Sequence, residues 1–339
     1  MTLTQTMRNI LFTVFVLCTV FSVTDRALAL EETASGRSQS FGCIDTAGIR
    51  VAAYYGDRRA ALVYTFDDGL QEHYTMVFRE LKKRGLKATF GIIGSKVGRD
   101  IKGTPCLTWA NLREMAADGQ EIANHGWEHR NVTVLDPEAL RHEIERNDSV
   151  ISDSVGIMPL TYIYPGNRKS EAAVWRCEAG RVGSRLAQVS MGGKRDSAWM
   201  RRWVDRLLQD GGWGVAMTHG ITVGYDAIGD PSRFWTHLDY VCSLRDSLWV
   251  ATLADVTAYL REYGDVRLDI EQRGDGVAVT PHLGLDRHIY NHPLTLVVPS
   301  RYPLWALQGG RRLYVKMHGG NAVIDFDPNG GELLLNLKY

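Results

Sequence analysis

From residue 59 onward the hydrophobic positions switch repeatedly between an unbroken run and a helical period. Residues 60–66, Ala60-Ala61-Leu62-Val63-Tyr64-Thr65-Phe66, read as a buried strand. Residues 72–84 follow, with Met76, Val77 and Leu81 at helical spacing and Gly85 as a stop. Residues 87–93 read as the next strand. A helix over 109–117 follows, with Thr108 as N-cap and Gly119 as a stop. Residues 121–124 form a short strand, and 137–152 a helix with Asp136 as N-cap and Pro137 at its first position. Strands over 160–164 and 214–219 and helices over 197–209, 234–244 and 253–263 continue the alternation. Strand-then-helix units predict a parallel sheet or barrel.

The pattern changes near Gly264. Beyond it, short strand candidates (277–280, 294–298, 313–317, 322–326 and 333–337) are separated by Gly-, Pro- and Asn-rich turns. This predicts a small antiparallel β module. Ahead of residue 59 the chain is polar and irregular, with an edge strand over 51–55. The expected division is 1–29, 30–58, 59–263 and 264–339.

The first of these segments has the form of a secretory signal peptide. Arg8 precedes an apolar run over 10–23, and Ala27-Leu28-Ala29 offers small residues for cleavage. Asp25 and Arg26 end the run short of spanning length. The expectation is a secreted or periplasmic protein without stable membrane insertion; an uncleaved anchor is the alternative. Lys plus Arg and Asp plus Glu both number 39, and this balance argues against a nucleic-acid partner. Hydrophobic residues make up 45% of the 339, enough for an ordinary core. Cys43, Cys106, Cys177 and Cys242 would remain after cleavage, and in an exported chain they permit two disulfides.

Chemistry collects at the C-terminal ends of the predicted strands, where folds of this class place their sites. Asp67 and Asp68 end the first strand, followed by Gly69. Two adjacent carboxylates there are costly unless something pairs with them. Successive side chains on a strand point to opposite sides, so the two can take different roles. A plain turn would also use Asp-Asp-Gly. His125 and His129 follow a second strand at i,i+4 spacing, which places both on one face if the segment is helical. One carboxylate and two imidazoles make a common hydrolytic metal site with an open water position. His219 ends a later strand and could donate a proton. Glu128 and His142 read as surface residues, and Trp213 and Met217 as core. Two glycosylation triplets begin at Asn131 and Asn147.

In this order, Thr65-Phe66-Asp67-Asp68-Gly69, His125-Gly126-Trp127-Glu128-His129, Tyr164-Pro165-Gly166 and Met217-Thr218-His219 resemble the motifs of the polysaccharide deacetylases. This is the NodB-homology group, carbohydrate esterase family 4. The resemblance covers about residues 59–262. It implies a distorted (β/α) barrel, here with the small C-terminal all-β module. It implies a divalent metal, usually zinc, on Asp68, His125 and His129, with Asp67 as general base and His219 as general acid. Tyr164 and Pro165 would line the oxyanion position, through a backbone N–H such as that of Tyr164. The implied reaction removes N-acetyl groups from an acetylated polysaccharide. An O-acetyl esterase of the acetyl xylan type uses the same site, and a carbohydrate-binding protein on the same fold is a third reading. Two positions depart from the family pattern. Gly126 stands where a small hydroxyl residue is often found. Ile163 stands where many members carry an arginine that holds the base; Arg168, or a residue from elsewhere, would have to replace it. The C-terminal module would either pack against the barrel or bind glycan through Tyr302 and Trp305.

Overall fold

A computed structural model describes residues 44–337. The signal-like segment 1–29 and Cys43 lie outside these residues. After a two-residue strand β1 (Arg50–Val51), the chain enters β2 (Ala60–Phe66), which is buried along its whole length. Around β2 gathers a curled, all-parallel sheet. Its other strands are β3 (Thr89–Ile92), β6 (Glu121–Asn124), β7 (Thr161–Tyr162), β8 (Gly183–Ser184), β9 (Val189–Ser190), β10 (Trp213–Thr218) and β11 (Leu248–Ala251). A small hairpin, β4 (Asp100–Ile101) and β5 (Thr104–Pro105), lies between β3 and β6 in the chain. The sheet runs β8-β7-β6-β3-β2-β10-β9, and it forks at β2. One edge of β2 pairs with β11 along Ala60–Val63 and with β3 only at Thr65 and Phe66. The sheet is therefore a distorted half-barrel rather than eight equal units.

Helices cover its outer face. A π-helical turn, His73–Phe78, runs into α1 (Arg79–Arg84). Then come α2 (Trp109–Ala117), α3 (Pro137–Val155), α4 (Glu171–Glu178), α5 (Ser197–Asp210), α6 (Pro231–Ser243) and α7 (Leu253–Asp265). Thr108 and Asn111 form a reciprocal capping box on α2, and Asp136 accepts from the amides of Glu138 and Ala139 on α3. These caps stand where the sequence places them.

The inner face is covered by α7 and the C-terminal strands. A five-stranded antiparallel sheet joins β12 (Arg267–Arg273), β13 (Gly276–His282), β19 (Leu333–Leu337), β15 (Leu304–Gln308) and β16 (Arg311–Leu313). A four-stranded sheet joins β1, β14 (Leu294–Pro299), β18 (Asn321–Phe326) and β17 (Val315–His318). Alternate residues of β2 serve the two cores. Ala60, Leu62, Tyr64 and Phe66 pack with the outer helices, while Ala61 and Val63 pack with α7 and the C-terminal strands. Burial on both faces explains the unbroken apolar run, since neither face needs polar residues.

Inside this second core sits a buried carboxylate. Glu121 accepts hydrogen bonds from Thr161 Oγ1 (2.5 Å), Thr89 Oγ1 (2.7 Å) and the amide of Ala254 (2.9 Å). Thr89 Oγ1 in turn accepts from the amide of Leu253 (2.8 Å). Glu121 thus ties β3 and β7 to the N-terminus of α7, where the helix dipole favours an acceptor. Burial raises its pKa all the same.

Several expectations need correction. Cys106, Cys177 and Cys242 are free thiols, so two disulfides do not form among the four candidates. Trp213 is exposed at the start of β10. The edge strand expected over 51–55 shrinks to Arg50–Val51, because the chain turns into a 3-10 segment at Tyr55–Asp57. The single strand expected over 313–317 is two strands, β16 and β17, in different sheets. Asn147 is fully buried and offers no glycosylation site. Of the C-terminal aromatics, Tyr302 is exposed and Trp305 is half-buried. Among the described residues no helix is long and apolar enough to cross a membrane.

Glu121→Ala strands several buried donors and should cost about 2–4 kcal/mol of stability. Glu121→Gln, which keeps an acceptor oxygen, should cost clearly less. Denaturant unfolding of the two variants checks this.

Candidate metal centre and active site

Both aspartates follow the last residue of β2, and the backbone separates them. The amide of Asp67 donates to the carbonyl of Thr218 (3.1 Å), extending the pairing with β10. Asp68 then adopts φ +76°, a left-handed conformation that Asp tolerates better than most residues.

Asp67 is buried against Arg185, which stands just beyond β8 and is itself buried. The guanidinium donates to both carboxylate oxygens at 2.6 Å, and to Thr65 Oγ1 at 2.8 Å. Burial alone would raise the Asp67 pKa. The charge and hydrogen bonds of Arg185 outweigh it, and with His125 and His219 nearby they hold the carboxyl well below its usual range. Arg185 therefore does what an arginine at position 163 would do. Arg168 is exposed and does not take this role. Ile163 contributes through its backbone instead: its carbonyl accepts from His125 Nδ1 at 2.8 Å.

That bond fixes the tautomer of His125. A carbonyl only accepts, so Nδ1 carries a proton, and in the neutral ring Nε2 presents a lone pair; burial lowers the His125 pKa, but the carboxylates of Asp68 and Asp67 outweigh it and raise it. Nε2 lies 3.5 Å from Asp68 Oδ1, and His129 Nε2 lies 3.7 Å from the same oxygen. His125 Nε2 and Asp68 Oδ1 are buried and have no hydrogen-bond partner. With the ring neutral two unpaired acceptors face each other, which is unfavourable unless a proton or a metal ion lies between them. The ligand atoms of Asp68, His125 and His129 all lie within 4.8 Å of one another, a donor set of two imidazole nitrogens and one carboxylate oxygen that fits a divalent metal. Burial first, and then the neighbouring His125, pushes the His129 pKa down to about 4, which keeps its ring neutral and able to ligate.

The two histidines do not meet on a helix, as their spacing suggested. They lie in a loop after β6, with Gly126 at φ +81° and His129 at φ +61°. Two left-handed residues fold the chain back so that both rings reach Asp68. Glu128 and His142 are exposed, as expected.

His219 follows β10 and is half-buried. Residues just after the aspartate pair hold its loop. His73 donates from Nε2 to the His219 carbonyl. The buried carboxylate of Glu72 accepts from the amides of Ile221 and Thr222 and from Thr222 Oγ1 (2.8 Å). No acid is bonded to the His219 ring among the described residues, and its Nδ1 is buried without a partner. Tyr225, largely exposed, lies edge-on to the ring at 5.3 Å between centroids. Tyr164 turns its side chain away, donating from its hydroxyl to Ser184 Oγ at 2.9 Å, and Pro165 opens a short 3-10 turn beside it.

A model of the polysaccharide deacetylase family matches residues 55–181. The chain carries a polysaccharide deacetylase domain. The chitooligosaccharide deacetylase of Rhizobium leguminosarum bv. trifolii is 37% identical over 90 residues, which is 26% of this chain and 38% of that protein. The peptidoglycan-N-acetylglucosamine deacetylase PgdA of Listeria monocytogenes is 31% identical over 106 residues, 31% of this chain and 21% of that one. The chain thus spans well under half the length of the curated relatives it matches. A crystal structure from Mycobacterium smegmatis, provisionally named a polysaccharide deacetylase, superposes with a TM-score of 0.50 at 15% identity, covering 62% of this chain and 93% of that one. That likeness concerns the fold of the deacetylase domain.

Arg185, Glu72 and His73 escaped the sequence reading. A strand recognised at β8 would have placed Arg185 at a C-terminal end, but two residues carry no period. Arg185→Met should leave Asp67 buried and unpaired, at a cost of about 3–5 kcal/mol. The sign follows from burial: without its countercharge the Asp67 pKa rises. Stability that wild type holds above the carboxylate range, and loses as pH falls, would then be gone at neutral pH, and the acid limb of the pH–rate profile would move to higher pH. Arg185→Lys should recover only part, because an ammonium cannot reproduce the two parallel bonds. Thermal unfolding and pH–rate profiles of both variants check this.

Proposed function

We propose that the protein is an exported, metal-dependent deacetylase that hydrolyses N-acetyl groups of an acetylated polysaccharide. The observation that carries the reading is the division of the aspartate pair. Asp68 faces the buried, unpartnered Nε2 of His125 and the ring of His129, while Asp67 is held ionised by Arg185 beside them.

In this reading Asp68, His125 and His129 hold the ion, with zinc as the expected metal. A divalent ion held there would acidify a water and polarise a carbonyl oxygen. Asp67 receives the proton of the attacking water. Arg185 keeps that carboxylate unprotonated beforehand and fixes its direction, so no reorganisation is needed at the moment of attack. The backbone N–H of Tyr164 donates to the oxygen that gains charge as the acetyl carbon becomes tetrahedral. His219 delivers a proton to the departing sugar nitrogen as the C–N bond breaks. Water supplies the oxygen of acetate and the amine is left free. No acyl-enzyme forms, so no activated serine or cysteine is required, and the raised thiol pKa of Cys106, at about 11, fits a cysteine that does no chemistry.

The relatives that act on chitooligosaccharide and on peptidoglycan N-acetylglucosamine support amide over ester hydrolysis. Acetate release from partly acetylated glucosamine polymers, peptidoglycan and acetylated xylan tests this. Release from an N-acetylated substrate is expected, abolished by chelation and restored by zinc. No release from any of the three by metal-loaded protein would contradict the reading. Release that persists after verified metal removal would contradict metal dependence.

A further inference from the structure

We propose that Glu143 is a positioning residue for the metal centre, holding His129 in the left-handed conformation that lets it share an ion with Asp68 and His125. The proposal rests on the metal reading of that cluster. Glu143 lies on α3 and is fully buried. Its Oε1 accepts from the amide of Glu128 and from the amide of Arg130, both at 2.9 Å. These are the two amides that flank His129. Its backbone carbonyl also accepts from the amide of Trp127 at 2.9 Å. One residue thus fixes the loop immediately before and after the ligand.

The need for such a hold is visible in the backbone. A residue other than glycine in the left-handed region costs of order 1–3 kcal/mol and persists only where its surroundings over-determine it. His129 sits there at φ +61°. A carboxylate is a stronger acceptor for two amides than a neutral group.

The loop sequence is adapted to this carboxylate. A Cβ at Gly126 would lie 2.6 Å from Glu143 Oε1, and Gly126 itself has φ +81°. A small hydroxyl residue at 126 would occupy the space the carboxylate uses. Glycine there is therefore matched to Glu143.

The rest of the loop is tied to the same helix. Asn124 Oδ1 accepts from the amide of Gly126 at 2.8 Å and from Asn147 Nδ2 at 2.9 Å. Asn124 Nδ2 donates to Asp148 Oδ1 at 2.7 Å and to the carbonyl of Ile144 at 2.9 Å. Residues 143, 144, 147 and 148 share one face of α3, so this helix acts as a splint under the loop. Of these contacts, only those of Glu143 bracket His129.

Zinc affinity of the full chain, measured by competition with a chromophoric chelator, tests the proposal. Glu143→Ala is expected to weaken zinc binding about 10–100-fold. Glu143→Asp, which keeps the charge but withdraws the oxygen by one methylene, should also weaken it. Glu143→Gln should recover most of the wild-type affinity, because its carbonyl oxygen accepts both amides. Glu121→Ala removes another buried carboxylate away from the loop and should lower stability while leaving zinc affinity unchanged. Wild-type affinity in Glu143→Asp or Glu143→Ala would overturn the proposal, and so would Glu143→Gln binding as weakly as Glu143→Ala. Failure of the wild type itself to bind zinc would instead overturn the metal reading beneath it.

Discussion

Two carboxylates, adjacent in the chain, must be accommodated at the end of a strand buried on both faces. Either one left unpaired there would cost several kcal/mol. The structure gives each a different partner. Asp67 continues the strand and meets the forked guanidinium of Arg185. Asp68 turns left-handed and meets two imidazoles, of which His125 presents a buried Nε2 without a partner. A fixed positive charge and a candidate cation site thus lie side by side, and this is what lets one aspartate be read as a base and the other as a ligand.

Much of the fold can be understood as bringing those partners together. The curled parallel sheet sets the C-terminal ends of β6, β8 and β10 near that of β2, although all three strands are far from β2 in the chain. The outer helices then fix the loops that leave those ends. Glu143 on α3 serves the His129 loop, and Glu72, ahead of α1, serves the His219 loop. On the inner face, α7 and the C-terminal strands fill the half-barrel with apolar side chains. The Asp67–Arg185 pair is itself buried, and a lower local dielectric there strengthens its attraction.

The sequence made the strand ends legible because apolar runs, caps and stop signals are local. Thr108 and Asp136 cap their helices in the structure, and the parallel alternation led to a half-barrel. Asp67, Asp68, His125, His129 and His219 were singled out by their places at those ends. Their supports were not, for a physical reason. Arg185 follows a strand of two residues, too short for any period to register. Glu143 reads as one charge among many on an amphipathic helix, and its burial depends on a loop folding over it. The helical spacing of His125 and His129 was misleading, because left-handed residues at 126 and 129 bring the rings together in a loop. Position 163 posed the problem of what holds Asp67. The solution lies 22 residues further along, on the neighbouring strand, while Ile163 holds His125 through its carbonyl.

The most direct measurement compares zinc content and acetate release in Asp67→Asn and Asp68→Asn, each purified as the full chain. If the pair divides as described, Asp67→Asn keeps zinc at the wild-type stoichiometry and loses about 10²–10⁴-fold in acetate release. Asp68→Asn loses the zinc, and its activity goes with it. Loss of zinc from both variants alike, or wild-type acetate release by Asp67→Asn, would contradict the division on which the account stands.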